Sequence, residues 1–148
     1  MAGKPMKKYF LILPLLFLLT SCGESNIPEI DTYTWEMTSV QSGEDNGKVI
    51  SYVKRWSDTA VPDDAAELDM NCTAKDGMFT LTDLSNQNTY NGTYTLRSSN
   101  SDGSIYDVVL DGKEGIAVTG VTTYSDDTSD LTLIINLGDC TINFFAEE

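Results

Sequence analysis

From Thr32 to the end of the chain, apolar residues recur at every second position in short runs, and clusters of Gly, Asp, Asn and Ser separate the runs. A period of two is the signature of a strand with one face in a core. "TYTWEMTSV" (32–40) sets Tyr33, Trp35 and Met37 against Thr34, Glu36 and Thr38, and "VISYVKRW" (49–56) carries Ile50, Tyr52 and Trp56 in one phase. "LDMNCTA" then aligns Met70 with Cys72, "MFTLTD" aligns Phe79 with Leu81, and "TYNGTYTLR" aligns Tyr90, Tyr94 and Leu96. "IYDVVL" supplies Tyr106, Val108 and Leu110, and "IAVTGVTTY" supplies Ile116, Val118 and Gly120. "LTLIINL" gives Leu131, Leu133 and Ile135, and "CTINFF" gives Cys140, Ile142 and Phe144. About nine strands with a turn every 8–14 residues is the spacing of an antiparallel sandwich or barrel. Consecutive short hairpins favour an up-and-down meander, and closing it removes exposed edges. The expected fold is therefore all-β, an antiparallel up-and-down barrel of about eight to nine strands. Asp58–Leu68 is the single stretch suited to a short helix, with Pro62 in its first turn and Asp63 and Asp64 at the positive end of its dipole.

The front of the chain is different. Lys7 and Lys8 precede an apolar run, Tyr9–Leu19, broken only by Pro14. The run falls short of the roughly 20 residues that span a bilayer as a helix, and a basic start followed by a short apolar centre is the layout of a secretory signal peptide. Its last four residues, Leu19, Thr20, Ser21 and Cys22, resemble the lipobox of bacterial lipoproteins. That resemblance implies a diacylglycerol on the Cys22 sulfur and cleavage just ahead of it. Two or three acyl chains hold a protein on a membrane without any spanning helix. The expected division is a signal peptide over 1–21, a polar tether over 22–30 and one barrel domain over 31–148. By the same resemblance, Gly23 after the cysteine favours the outer membrane of a Gram-negative envelope, on its periplasmic or surface face.

Charge narrows the partners. The chain has 23 acidic and 9 basic residues, and Lys4, Lys7 and Lys8 fall within the leader, so residues 22–148 carry a net charge of −17. Nucleic acid is excluded, because it demands a basic footprint. The ordinary role of such acidity is solubility, with recognition of a cationic partner as the alternative. Cys72 and Cys140 both fall in the apolar phase of their strands; a disulfide between them and a pair of buried free thiols fit equally well.

Chemistry is sparse. The chain has no histidine, which removes Ser/His/Asp and Cys/His catalysis and histidine-held zinc. The adjacent acids Asp63–Asp64 and Asp126–Asp127 fall in turns, where solvation explains them, so neither an enzyme nor a cofactor is expected. "SSNSDGS" fails as a calcium loop, having Ser98 at its first position and Val109 at its twelfth. Asp126, Asp127 and Asp130 are weak calcium candidates, for which an acidic hairpin tip is the plainer reading.

"TWEMTSV", "DGMFTLTD", "NGTYTL" and the closing "DLTLIINLGDCTINFF" together resemble the lipocalin-like domains of small lipoproteins from Bacteroides-type bacteria, with Tyr33 standing where their glycine precedes the tryptophan. The resemblance covers nearly all of residues 31–148 and implies a ligand-holding barrel. Tyr52, Trp56, Tyr90, Tyr94 and Tyr106 share the inward phase of their strands, and tyrosine offers both an apolar body and a hydroxyl to a ligand. The functional expectation is a lipid-anchored envelope protein holding a small hydrophobic or amphipathic molecule in or at the mouth of the barrel. The alternative is a non-catalytic accessory subunit of an envelope or surface complex.

Overall fold

A computed structural model describes residues 29–43, 48–52 and 69–147. Its nine strands are β1 (Trp35–Ser42), β2 (Lys48–Tyr52), β3 (Met70–Lys75), β4 (Met78–Asp83), β5 (Thr89–Ser99), β6 (Gly103–Leu110), β7 (Lys113–Thr123), β8 (Ser129–Asn136) and β9 (Cys140–Ala146). Every pairing is antiparallel, and β3 through β9 form an uninterrupted meander. β1 closes the sheet: one of its edges pairs with β9 from Trp35 to Ser42, and the other meets β3 at Trp35↔Cys72 and Glu36↔Asn71. The result is a closed barrel of eight strands. The ninth, β2, takes the rest of the second edge of β1, from Ser39↔Tyr52 to Ser42↔Lys48. β2 and β3 thus lie end to end along β1. The helix expected at Asp58–Leu68 lies outside the described residues, among which there is no helix.

Turn chemistry sets the register. Asp76 and Gly77 (φ 52° and 81°) form a two-residue hairpin between β3 and β4, and Asp111 and Gly112 (φ 49° and 77°) repeat it between β6 and β7. Positive φ at both positions matches the right-handed twist of paired strands, and Asp-Gly reaches it at little steric cost. The second turn corrects one sequence expectation. Tyr106, Val108 and Leu110 point inward, and a two-residue turn that pairs Leu110 with Lys113 carries the interior phase to Gly115, Ala117 and Thr119. Ile116 and Val118, expected inside, are therefore on the outer surface. "IAVTGVTT" has branched or small residues in both phases, so only the register decides between them.

A second correction concerns β1. Its register against β9 shifts between Met37 and Ser39, making Thr38 a bulge residue. Thr38 is buried and donates from Oγ1 to the carbonyl of Asn143 at 3.1 Å. The extra residue brings Val40 inward opposite Ile142, whereas strict alternation would turn it out. Tyr33, expected on the core face, lies ahead of β1 and is exposed, with its ring edge-to-face on Trp35 at 5.8 Å.

The interior is filled by side chains, the largest being Trp35, Phe79, Phe144, Ile30, Met37 and Leu81. One cross-barrel row departs from this pattern. It runs Ser99, Ser104, Thr119, Leu133, Phe144, Met37, so half of it is hydroxyl, with Ser104 and Thr119 buried and Ser99 exposed at its end. Ser99 and Ser104 share a hydrogen bond of 2.9 Å, while Thr119 Oγ1 is buried without a partner. An orphaned buried hydroxyl costs about 1–3 kcal/mol, and an apolar group of the same shape does not. Thr119→Val is expected to raise stability by about 1 kcal/mol in urea denaturation; a loss would show that the hydroxyl has a partner in solution.

At the far end of the barrel, Asp83 shapes the turn over 84–88. Its Oδ1 accepts from the Ser85 hydroxyl (2.6 Å) and amide (2.9 Å), and its Oδ2 accepts from Asn86 Nδ2 (2.8 Å). These bonds, those from Ser85 foremost, hold its carboxyl below the usual range. A folded-state pKa below the unfolded one gives stability that is fully present above the unfolded pKa, near 3.9, and disappears as pH falls through the folded value. Asp83→Asn should thus be less stable than the parent chain at pH 7, with the gap closing between about pH 4 and the depressed folded pKa. A gap independent of pH in denaturation titrations would contradict the assignment.

Candidate functional site

The chain enters the barrel through residues 29–34, and these close one end of it. Thr32 N bonds the Glu29 carbonyl at 3.1 Å, making a tight turn that aims Ile30 into the barrel. Ile30 is 1% exposed and belongs to the core. Two buried hydrogen bonds fix it: Trp35 Nε1 donates to its carbonyl at 2.8 Å, and its amide donates to Tyr106 Oη at 3.2 Å. The plug thus satisfies the polar atoms of two core aromatics, groups that buried tryptophan and tyrosine need to pair.

Beside the plug is a cleft of about 180 Å³. Tyr94 and Tyr106 form one wall, edge-to-face with ring centroids 5.8 Å apart. Ile30 and the exposed side chain of Leu96 add apolar surface, Ser99 and Ser104 add hydroxyls, and Glu29 and Asp31 also line it. β5 supplies this arrangement because its register against β6 shifts between Leu96 and Ser98, which returns Ser99 to the interior phase opposite Ser104. Burial pushes the Tyr94 phenol above its ordinary pKa, and the nearby charges of Asp31 and Asp76 add to the effect.

Of the five aromatic residues singled out from the sequence, the structure brings two together, Tyr94 and Tyr106. Tyr90 is in the expected inward register, opposite Leu81, but it is 44% exposed and stands apart from the other two. Its strand outruns its neighbour there, since β6 pairs with β5 only as far as Gly92↔Leu110. Trp56 and the side chain of Tyr52 lie outside the described residues. So does Cys22.

Cys72 and Cys140 are free thiols. Cys72 is opposite Trp35 at the start of β1 and Cys140 opposite Ser42 at its end. Seven residues of strand separate those levels by roughly 23 Å, against a Cα separation of at most about 7 Å for a bridge. Burial pushes the Cys72 thiol up to about 12, so it packs as a small apolar group and not as a nucleophile.

The acidic tip does not converge on a cation. Asp126 Oδ1 accepts from the Thr128 hydroxyl (2.6 Å) and amide (3.1 Å), and Asp130 Oδ2 accepts from Tyr124 Oη at 2.9 Å. Asp127 occupies the left-handed position of the turn (φ 63°). Among the described residues, no three Cys, Asp or Glu side chains are grouped as metal ligands.

Sequence patterning missed Ile30, Ser99, Ser104 and Thr119. The expected tether over 22–30 takes in Ile30, although a lone large apolar residue five positions ahead of a core tryptophan is a signal. The run "SSNSDGS" (98–104) reads as a turn by composition, whereas Ser98 and Ser99 extend β5 and Gly103 and Ser104 extend β6. Compared with known protein families, curated proteins and solved structures, the chain gives no match, so its function is read from its own residues.

Proposed function

We propose that the protein is a lipocalin-like, lipid-anchored envelope protein that binds a small molecule at the entry end of its barrel and carries out no catalysis. The observation behind this reading is the cleft between the Ile30 plug and the Tyr94–Tyr106 pair, where apolar, aromatic and hydroxyl groups converge on one opening. The filled interior argues against a ligand deep inside the barrel. At about 180 Å³ the cleft is below the roughly 300 Å³ at which drug-sized sites begin, so its occupant is a fragment-sized molecule or the end of a longer one. Anchoring through Cys22 to an outer membrane would hold this end of the barrel close to the lipid, because only residues 23–28 separate the anchor from the plug. The test is a fragment titration of the full chain, read on the ring NMR signals of the tyrosines. Ligands are expected to shift Tyr94 and Tyr106 together and leave Tyr90 unmoved; shifts at Tyr90 alone, or none at any concentration, would refute the cleft.

A second reading, an accessory subunit of an envelope complex, draws on the outer face of β6, β7 and β8. Val109, Ile116, Val118 and Ile134 are all exposed there, with Val118 directly opposite Ile134. Apolar residues gathered on an outer surface favour protein contact. A Val118→Lys, Ile134→Lys double variant that keeps cleft binding but loses a co-purifying envelope protein would establish this reading.

A further inference from the structure

We infer that the entry cleft selects a small organic cation, an ammonium group carried on an apolar body. The inference rests on the cleft reading above and specifies the class of its ligand.

Four features of the lining converge on this class. Glu29 and Asp31 contribute acidic side chains, and among the described residues neither has an ion-pair partner; the cations seen in pairs, Arg97 with Asp107 and Lys113 with Asp139, belong to other parts of the surface. Asp76 adds a third negative charge within electrostatic reach of Tyr94. Tyr94 and Tyr106 bring two electron-rich rings, and a cation over such a ring gains about 0.5–2 kcal/mol, the upper figure applying where water is displaced. Ser99 and Ser104 offer hydroxyl oxygens, Tyr106 already accepts a hydrogen bond through its own, and Ile30 and Leu96 supply apolar surface.

Other ligand classes fit less well. A carboxylate or phosphate would meet Glu29 and Asp31 with no described arginine or lysine in the lining. A neutral apolar molecule would leave the serine hydroxyls unused and gain nothing from the field. An ammonium on a compact apolar body matches wall, hydroxyls and charge together, and the overall charge of −14 would draw it in.

The experiment compares choline with neohexyl alcohol, its uncharged carbon isostere, on the full chain at low salt, with the Tyr94 and Tyr106 ring signals as readout. Choline is expected to bind about tenfold more tightly, and the preference should shrink several-fold at ~0.5 M salt, where the screening length falls to a few ångströms. Asp31→Asn, at an exposed position of the lining, should remove most of the preference, the affinity for choline falling toward that for the alcohol. Phosphatidylcholine vesicles in place of free choline identify the source of the group: a response to either one supports the cation, and the one that responds more strongly names a soluble amine or a lipid headgroup. Equal binding of choline and the alcohol would overturn the cation and leave the cleft standing. Silence of both tyrosines toward both probes would overturn the cleft as well.

Discussion

Trp35→Ala is expected to cost about 4–5 kcal/mol, a large share of the stability of a domain of this size. Trp35 is fully buried in the row Ala146–Trp35–Cys72–Leu81, at the seam where β1 closes the barrel against β3 through two paired residues. Truncation opens a large cavity there, and it also leaves the Ile30 carbonyl without the indole N–H it accepts. Trp35→Phe separates the two effects. The ring largely fills the space, so the expected loss falls to about 1–2 kcal/mol, while the plug loosens and cleft affinity drops. Urea denaturation followed by far-ultraviolet circular dichroism gives the first quantity, and the tyrosine titration gives the second. A Trp35→Phe protein with unchanged cleft affinity would show that the plug does not depend on the indole.

Gly92→Ala is expected to cost about 3 kcal/mol, at the upper end for a single added methyl. Gly92 is opposite Phe79, and the Phe79 ring lies over its backbone. A methyl at Gly92 would fall 2.3 Å from two ring carbons and 2.7 Å from the Val109 carbonyl oxygen, so the ring or the strand must move. An aromatic side chain covering a cross-strand glycine pins register, and displacing this one loosens β4 against β5. The pair variant Gly92→Ala, Phe79→Leu should regain part of the loss, since the shorter side chain vacates the space. If the double variant is less stable than the sum of the two single changes, steric conflict is not the cause.

What the sequence made legible follows from physics that acts over two to ten residues. Alternation and Asp-Gly turns are local, and they located the strands and most of their inward faces. Phase across β7 is not local. It passes from β6 through the Asp111–Gly112 turn, and a stretch with branched residues in both phases carries no mark of its own. The bulge at Thr38 is silent for the same reason: threonine suits a strand surface, and its role depends on the Asn143 carbonyl, 105 residues away. Within the candidate site, Tyr94 and Tyr106 could be read because large aromatics in an apolar phase stand out. Their partners could not. Ile30 belongs to no periodic run, and inward-facing serines next to Asn and Gly look like a turn until strand lengths are known. Tyr90 shows the converse, a correct phase whose exposure was decided by where the neighbouring strand stops.

Native mass spectrometry of the protein purified from the cells that make it tests the central claim most directly. The cleft account expects a polypeptide starting at an acylated Cys22 with a fragment-sized molecule bound non-covalently, and expects Tyr94→Ala to arrive folded without that molecule. A parent chain with nothing bound, or a molecule retained undiminished by Tyr94→Ala, would contradict it.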